Sequence, residues 1–118
     1  MIEEKKAYFV YAFKLDKSSG EVYIDVSKTG VKSLRERTWG WFTSFDSAFK
    51  TVEHCANYIF EHGYYDHVLI EEIPEGFCNS FGSKTWLKAE FDEDHSVTNL
   101  VIITTPENFV NLCNFSIG

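Results

Sequence analysis

The sequence predicts one α+β domain: an antiparallel sheet of about five to six strands, one main amphipathic helix on one face, and a short C-terminal helix. Three observations lead there. Residues 7–15 and 22–27 alternate along the chain with the period of two that a strand requires. Residues 44–63 repeat apolar side chains at spacings of three and four, the period of a helix. The last third holds two β-rich runs joined by a charged turn. The chain has 118 residues, the size of a single domain. Eleven Phe, six Tyr and three Trp supply enough apolar area for a core without disulfides.

Each element has its own signal. In 7–15, Ala7, Phe9, Tyr11, Phe13 and Leu15 make one apolar face, and Tyr8, Val10, Ala12 and Lys14 a mixed one. Asp16 to Gly20 is turn chemistry. Val22, Ile24 and Val26 then alternate inward against Tyr23, Asp25 and Ser27, which predicts a hairpin between the first two strands. Residues 28–37 lack a period and read as a loop. Thr38 to Phe42 reads as a short strand, with Trp39, Trp41 and Phe42 as core anchors and Gly40 allowing close backbone approach. Ser44 is placed to cap the helix, because its hydroxyl can accept a bond from a free first-turn N–H. Asp46 complements the positive end of the dipole. Phe45, Ala48, Phe49, Val52, Cys55, Ala56 and Ile59 form the apolar stripe, and Gly63 closes the helix. Strands are expected over 64–73, 85–91 and 100–104, with a second hairpin at Asp92 to Ser96. Pro106 to Cys113 reads as the terminal helix. With the helix on one sheet face, the other is expected to present Tyr8, Tyr23 and late-strand aromatics. Loops, a partner or a second copy of the chain would have to cover it.

Composition narrows the chemistry. Cys55, Cys78 and Cys113 are odd in number and widely spaced, which suggests neither a disulfide framework nor a zinc knuckle. The charged start and the lack of a long apolar run predict a cytoplasmic protein with no membrane segment. The net charge of −7 is uneven: residues 1–50 carry +2 and residues 51–118 carry −9. Such a field steers a basic partner and repels nucleic acid.

Catalytic and metal motifs are weak. His54, His62, His67 and His95 have no ligand companion at metal spacing. Cys78 with His67 or His95 would need an orienting third group, and no enzymatic activity or cofactor is expected. Asp92-Glu93-Asp94 lacks the spacing of a calcium loop. Lys28 to Ser33 lacks the full glycine and lysine pattern of a phosphate loop. Two candidate surfaces are left. One is an acidic and aromatic partner surface of Glu71, Glu75, Asp92, Glu93 and Asp94 with Tyr8 and Tyr23, in which the late turn and the Glu75 corner would converge on one ridge. The other is a ligand site on the basic segment, with Lys28, Lys32, Arg35 and Arg37.

The run Arg37-Thr38-Trp39-Gly40-Trp41-Phe42 begins a resemblance. With a helix entered through Ser44-Phe45, then Gly63-Tyr64-Tyr65 and Ile70-Glu71-Glu72-Ile73-Pro74-Glu75-Gly76, the chain resembles small uncharacterised proteins of gut-bacterial (Firmicutes) phages and prophages. The ending Asn114-Phe115-Ser116-Ile117-Gly118 is similar to theirs as well. The resemblance implies context: a phage accessory protein in the host cytoplasm. Small acidic phage proteins often block host nucleases or defence complexes. The leading expectation is therefore anti-CRISPR-like blockade of a host protein with a basic surface, without direct nucleic-acid binding. A nucleotide-binding module and a structural or homodimeric phage protein are the alternatives.

Overall fold

The computed structural model describes residues 6–74 and 83–106. The fold is α+β. Its strands are β1 (Lys6–Phe13), β2 (Ile24–Val26), β3 (Lys32–Leu34), β4 (Glu36–Phe42), β5 (His67–Pro74), β6 (Lys84–Phe91) and β7 (Val97–Ile103). Between β4 and β5 come helix α1 (Phe45–His54), the short helix α2 (Ala56–Ile59) and a 3-10 turn, Glu61–Gly63. Five strands form one antiparallel sheet in the order β4-β1-β5-β6-β7, and β2 and β3 form a separate two-stranded ribbon. The terminal helix expected after Pro106, together with Glu75, Cys78 and Cys113, lies outside the described residues.

β1 is flanked on both sides, and this reduces the expected β1–β2 hairpin to its base. β5 takes one edge of β1 along its whole length, and β4 takes the other from Tyr8 to Phe13. No edge is left for β2. Only the bridge Leu15–Val22 remains, with Tyr23 N–H donating to the Lys14 carbonyl at 2.7 Å. The segment expected as a loop, 28–37, instead holds a turn, β3 and the start of β4. Gly30 closes that turn at φ 85°, a conformation that carries little penalty without a Cβ.

The two sheet faces differ in side-chain size. Val10, Ala12, Val68, Ile70, Leu87 and Ala89 face the helices and pack on Ala48, Val52, Ala56, Ile59 and Phe60. Small residues on both surfaces let helix and sheet approach closely. The opposite face carries the large rings. Phe9 stacks on Tyr11 at 6.2 Å, Tyr11 lies 6.3 Å from Phe13, and Phe13 lies 5.5 Å from Trp86. The expected surface of Tyr8 and Tyr23 is corrected accordingly. Tyr8 sits half-buried on the helix side, edge-on to Phe45, and Tyr23 lies outside the main sheet beside β2.

A register shift between Val10 and Tyr11 leaves Trp39 as an extra residue in β4. The bulge brings Trp39 to the helix side with Phe42, and both pack against the core. Trp41 falls outside it, 61% exposed. No atom lies within 4 Å of a Cβ built on Gly40, so close approach is not its role.

Ser44 caps α1 as expected, its Oγ accepting the Ser47 N–H at 3.1 Å. The apolar stripe continues past Cys55, where the backbone leaves helical geometry and separates α1 from α2. His62 (φ 55°) and Gly63 (φ 69°) then turn the chain through left-handed conformations toward β5.

Candidate functional site

The ribbon leaves the body at the end of β1, and its register fixes its two faces. Ile24 pairs with Leu34, Asp25 with Ser33 and Val26 with Lys32. Paired residues share a face and alternate along each strand, so Ile24, Val26, Lys32 and Leu34 lie together. That face is open to solvent: Ile24 is 50% exposed, Val26 62% and Leu34 46%. Val31, at the turn, is exposed as well. The other face is tied to the body. Arg35 Nε donates to Asp25 Oδ2 at 3.0 Å, and its terminal nitrogen reaches Oδ1 of the same carboxylate. The guanidinium is sandwiched between the rings of Tyr23 (4.5 Å) and Tyr64 (4.1 Å). Its hydrogen bonds hold the Asp25 carboxyl below the usual range.

Asp66 fastens the root. It accepts the Leu15 N–H at 3.2 Å, lies 3.5 Å from Lys14 Nζ and contacts His67 Nδ1 at 2.6 Å. Burial alone would raise its carboxyl, but the His67 hydrogen bond and charge, with Leu15 and Lys14, outweigh burial and hold it low.

Beside this root is a cleft of about 420 Å³ lined by Arg37, Trp39, Tyr58, Ile59, Glu61, His62, Tyr64 and Tyr65. The Arg37 guanidinium lies over Trp39 at 4.2 Å, and Tyr58 meets the same indole edge-on at 5.4 Å. Tyr64 and Tyr65 meet edge-to-face at 4.9 Å. Of the four basic residues expected to grip a ligand, then, Arg37 lines a cleft and Arg35 is neutralised by Asp25. Lys28 and Lys32 are exposed on the distal half of the ribbon. They do not converge.

The acidic residues separate as well. Glu71 is 2% exposed on the aromatic side of the sheet, with Tyr11 donating to Oε1 at 3.4 Å and Lys84 Nζ at 3.4 Å from Oε2. Burial raises its carboxyl, and Lys84 and Tyr11 oppose the rise. It therefore cannot belong to an exposed ridge. Asp92, Glu93 and Asp94 are exposed at the β6–β7 turn, where Asp92 Oδ1 accepts the Asp94 and Ser96 N–H groups. Pro74 ends β5 beside the start of β6, while this turn follows the other end. Eight strand residues, about 23 Å, separate the two. Glu75, the corner on which the acidic ridge was expected to converge, lies outside the described residues.

Sequence reasoning missed Asp66, Tyr58 and Tyr64 as site-forming residues. The signal that existed was the aromatic pair following His62-Gly63, a turn that aims consecutive rings at one spot. Among the described residues, no three His, Cys, Asp or Glu side chains cluster to hold a metal ion. No described helix is long and apolar enough to cross a membrane. Set against protein-family models, curated proteins and solved structures, the chain finds no match.

Proposed function

We propose that this chain is a phage or mobile-element accessory protein that binds and blocks a host protein, in the manner of an anti-CRISPR, with the ribbon as its anchor. One observation carries the binding role. The body buries Tyr11, Phe13 and Trp86 to 1% exposure or less, yet Ile24, Val26 and Leu34 lie side by side in water on a projecting ribbon. Contiguous apolar surface of this kind marks interaction sites, because covering it releases the hydration it imposes. The phage context rests on the sequence resemblance alone.

Charge suggests how the partner is approached. The ribbon tip carries Lys28 and Lys32, and the far edge of the sheet carries Asp92, Glu93 and Asp94. The ribbon runs into the edge strand β4 and the acidic turn into the opposite edge strand β7, both from the end of the sheet where β1 finishes. A basic host surface would meet the acidic turn, which steers the encounter, while the ribbon supplies the apolar contact. The test replaces Ile24, Val26 and Leu34 by Ser, and separately Asp92, Glu93 and Asp94 by their amides. The ribbon variant should release the partner at any salt concentration. The amide variant should slow association chiefly at low salt, because exposed charges are screened beyond about 10 Å at 0.1 M. A partner held equally by both variants contradicts the proposal.

A further inference from the structure

We infer that the cleft at the ribbon root is a binding site for a mononucleotide, an anion carried on a planar ring. This is independent of the protein-binding role. The argument begins with Arg37. Its guanidinium lies over Trp39 at 4.2 Å, a stacking contact that leaves its N–H donors without a partner in the ring. Arg37 is exposed and makes no salt bridge among the described residues. The contrast with Arg35 is direct, since that guanidinium is also stacked on a ring but spends its donors on Asp25. Two residues apart, one arginine is structural and the other faces a cleft with its fork open. A planar fork of donors matches phosphate oxygens pairwise.

The walls supply the second half of the ligand. Tyr58 is 66% exposed and borders the cleft with ring surface available for stacking, and Tyr64, whose ring also carries Arg35, borders it beside Tyr65. Base–aromatic stacking tolerates any base, because every base has a π-face. The volume of about 420 Å³ lies in the range of small-molecule sites, roughly 300–1,000 Å³. An alkylammonium ligand, the other usual guest of an aromatic box, is disfavoured. Arg37 already covers the Trp39 face with positive charge, and like charges repel there. The chain geometry that builds the site is costly for a non-glycine residue, since His62 holds φ 55° to bring Tyr64 and Tyr65 round to the cleft.

The experiment titrates the full chain with AMP, adenosine and ribose 5-phosphate, following tryptophan fluorescence and binding heat. AMP should bind saturably, and each half-ligand at least about tenfold more weakly, since an Arg–phosphate bond and a stacked base contribute comparably. Arg37→Gln should weaken AMP about tenfold or more and leave adenosine unchanged. Arg37→Lys should recover only part of the loss, because a point charge lacks the fork. Tyr58→Ala should weaken both AMP and adenosine. Both side chains are exposed, so the melting temperature should hold and separate lost binding from lost folding. The inference is overturned if none of the four common mononucleotides binds saturably up to several millimolar. It is equally overturned if Arg37→Gln binds AMP as tightly as the parent chain.

Discussion

The body and the ribbon are built from the same kind of strand and meet opposite fates. In β1 the residues of both faces are buried, beneath α1 and α2 on one side and within the aromatic cluster on the other, and Ala12 and Phe13 are both 0% exposed. In β2 the alternation is as regular, yet Ile24 and Val26 remain half or more in water. The pattern says which residues share a face. Whether that face leaves water depends on a third element packing over it, and among the described residues no element packs over the ribbon's apolar side. Its polar side is held instead by one stacked arginine and by the Asp66 junction.

The largest expected effects test that division. Phe13→Ala or Trp86→Ala should cost about 3–5 kcal/mol in urea unfolding, the usual penalty for an emptied aromatic site in a core. Ile24→Ser or Leu34→Ser should change stability by about 0.5 kcal/mol or less, as exposed substitutions do. A ribbon substitution costing about 2 kcal/mol would mean the face is packed, and the distinction between the regions would disappear.

At the junction, Asp66→Asn should cost about 1–3 kcal/mol, since it weakens hydrogen bonds to a charged group that is largely buried. The pH dependence has a definite sign. Because the folded carboxyl lies below its unfolded value of about 3.9, its stabilisation is present above that value. It is lost as pH falls through the lower folded value, so the gap between parent and Asp66→Asn should close in acid.

Glu71 should behave in the opposite sense. Its folded carboxyl is raised, so the protonated form is favoured in the native state and its contribution is fully present below the unfolded value of about 4.3. It fades as pH rises through the folded value. Parent stability relative to Glu71→Gln should therefore grow as the pH is lowered from 7 to 4, read from urea midpoints. A gap that shrinks would show that the Lys84 pairing outweighs burial.

The sharpest local signature should come from Arg35→Ala. Removing the guanidinium from between Tyr23 and Tyr64 should speed amide exchange in β2 and β3 while leaving β1 and β5 protected, since local opening need not follow global unfolding. Equal acceleration in both sheets would make the ribbon part of one cooperative unit with the body.

Much of this fold was legible in the sequence. Ser44 announced the start of α1, the stripe from Phe45 to Ile59 its inner face, and Asp92 to Ser96 the last hairpin. The pairing partner of β1 was not legible, because alternation in 7–13 and 22–27 fits a local hairpin as well as a strand captured by distant β5. Nor was the side on which the helix packs, since both faces of β1 are apolar and only the small size of Val10 and Ala12 favoured the helix. Glu71 was misplaced for a related reason. A carboxylate in an apolar run gives no sign of the Lys84 and Tyr11 that share its face. The basic segment illustrates the same limit, because one-dimensional proximity of Arg35 and Arg37 hid opposite environments two residues apart.

The most direct test of the ribbon as a docking surface is quantitative capture from host lysate by the parent chain and by the Ile24→Ser, Val26→Ser, Leu34→Ser variant, with melting and sedimentation of each measured alongside. The expected result is one host protein bound stoichiometrically by the monomeric parent and lost at least about tenfold by the variant, at unchanged melting temperature. Undiminished capture by the variant, or a parent that sediments as a dimer dispersed by the same three substitutions, would contradict it.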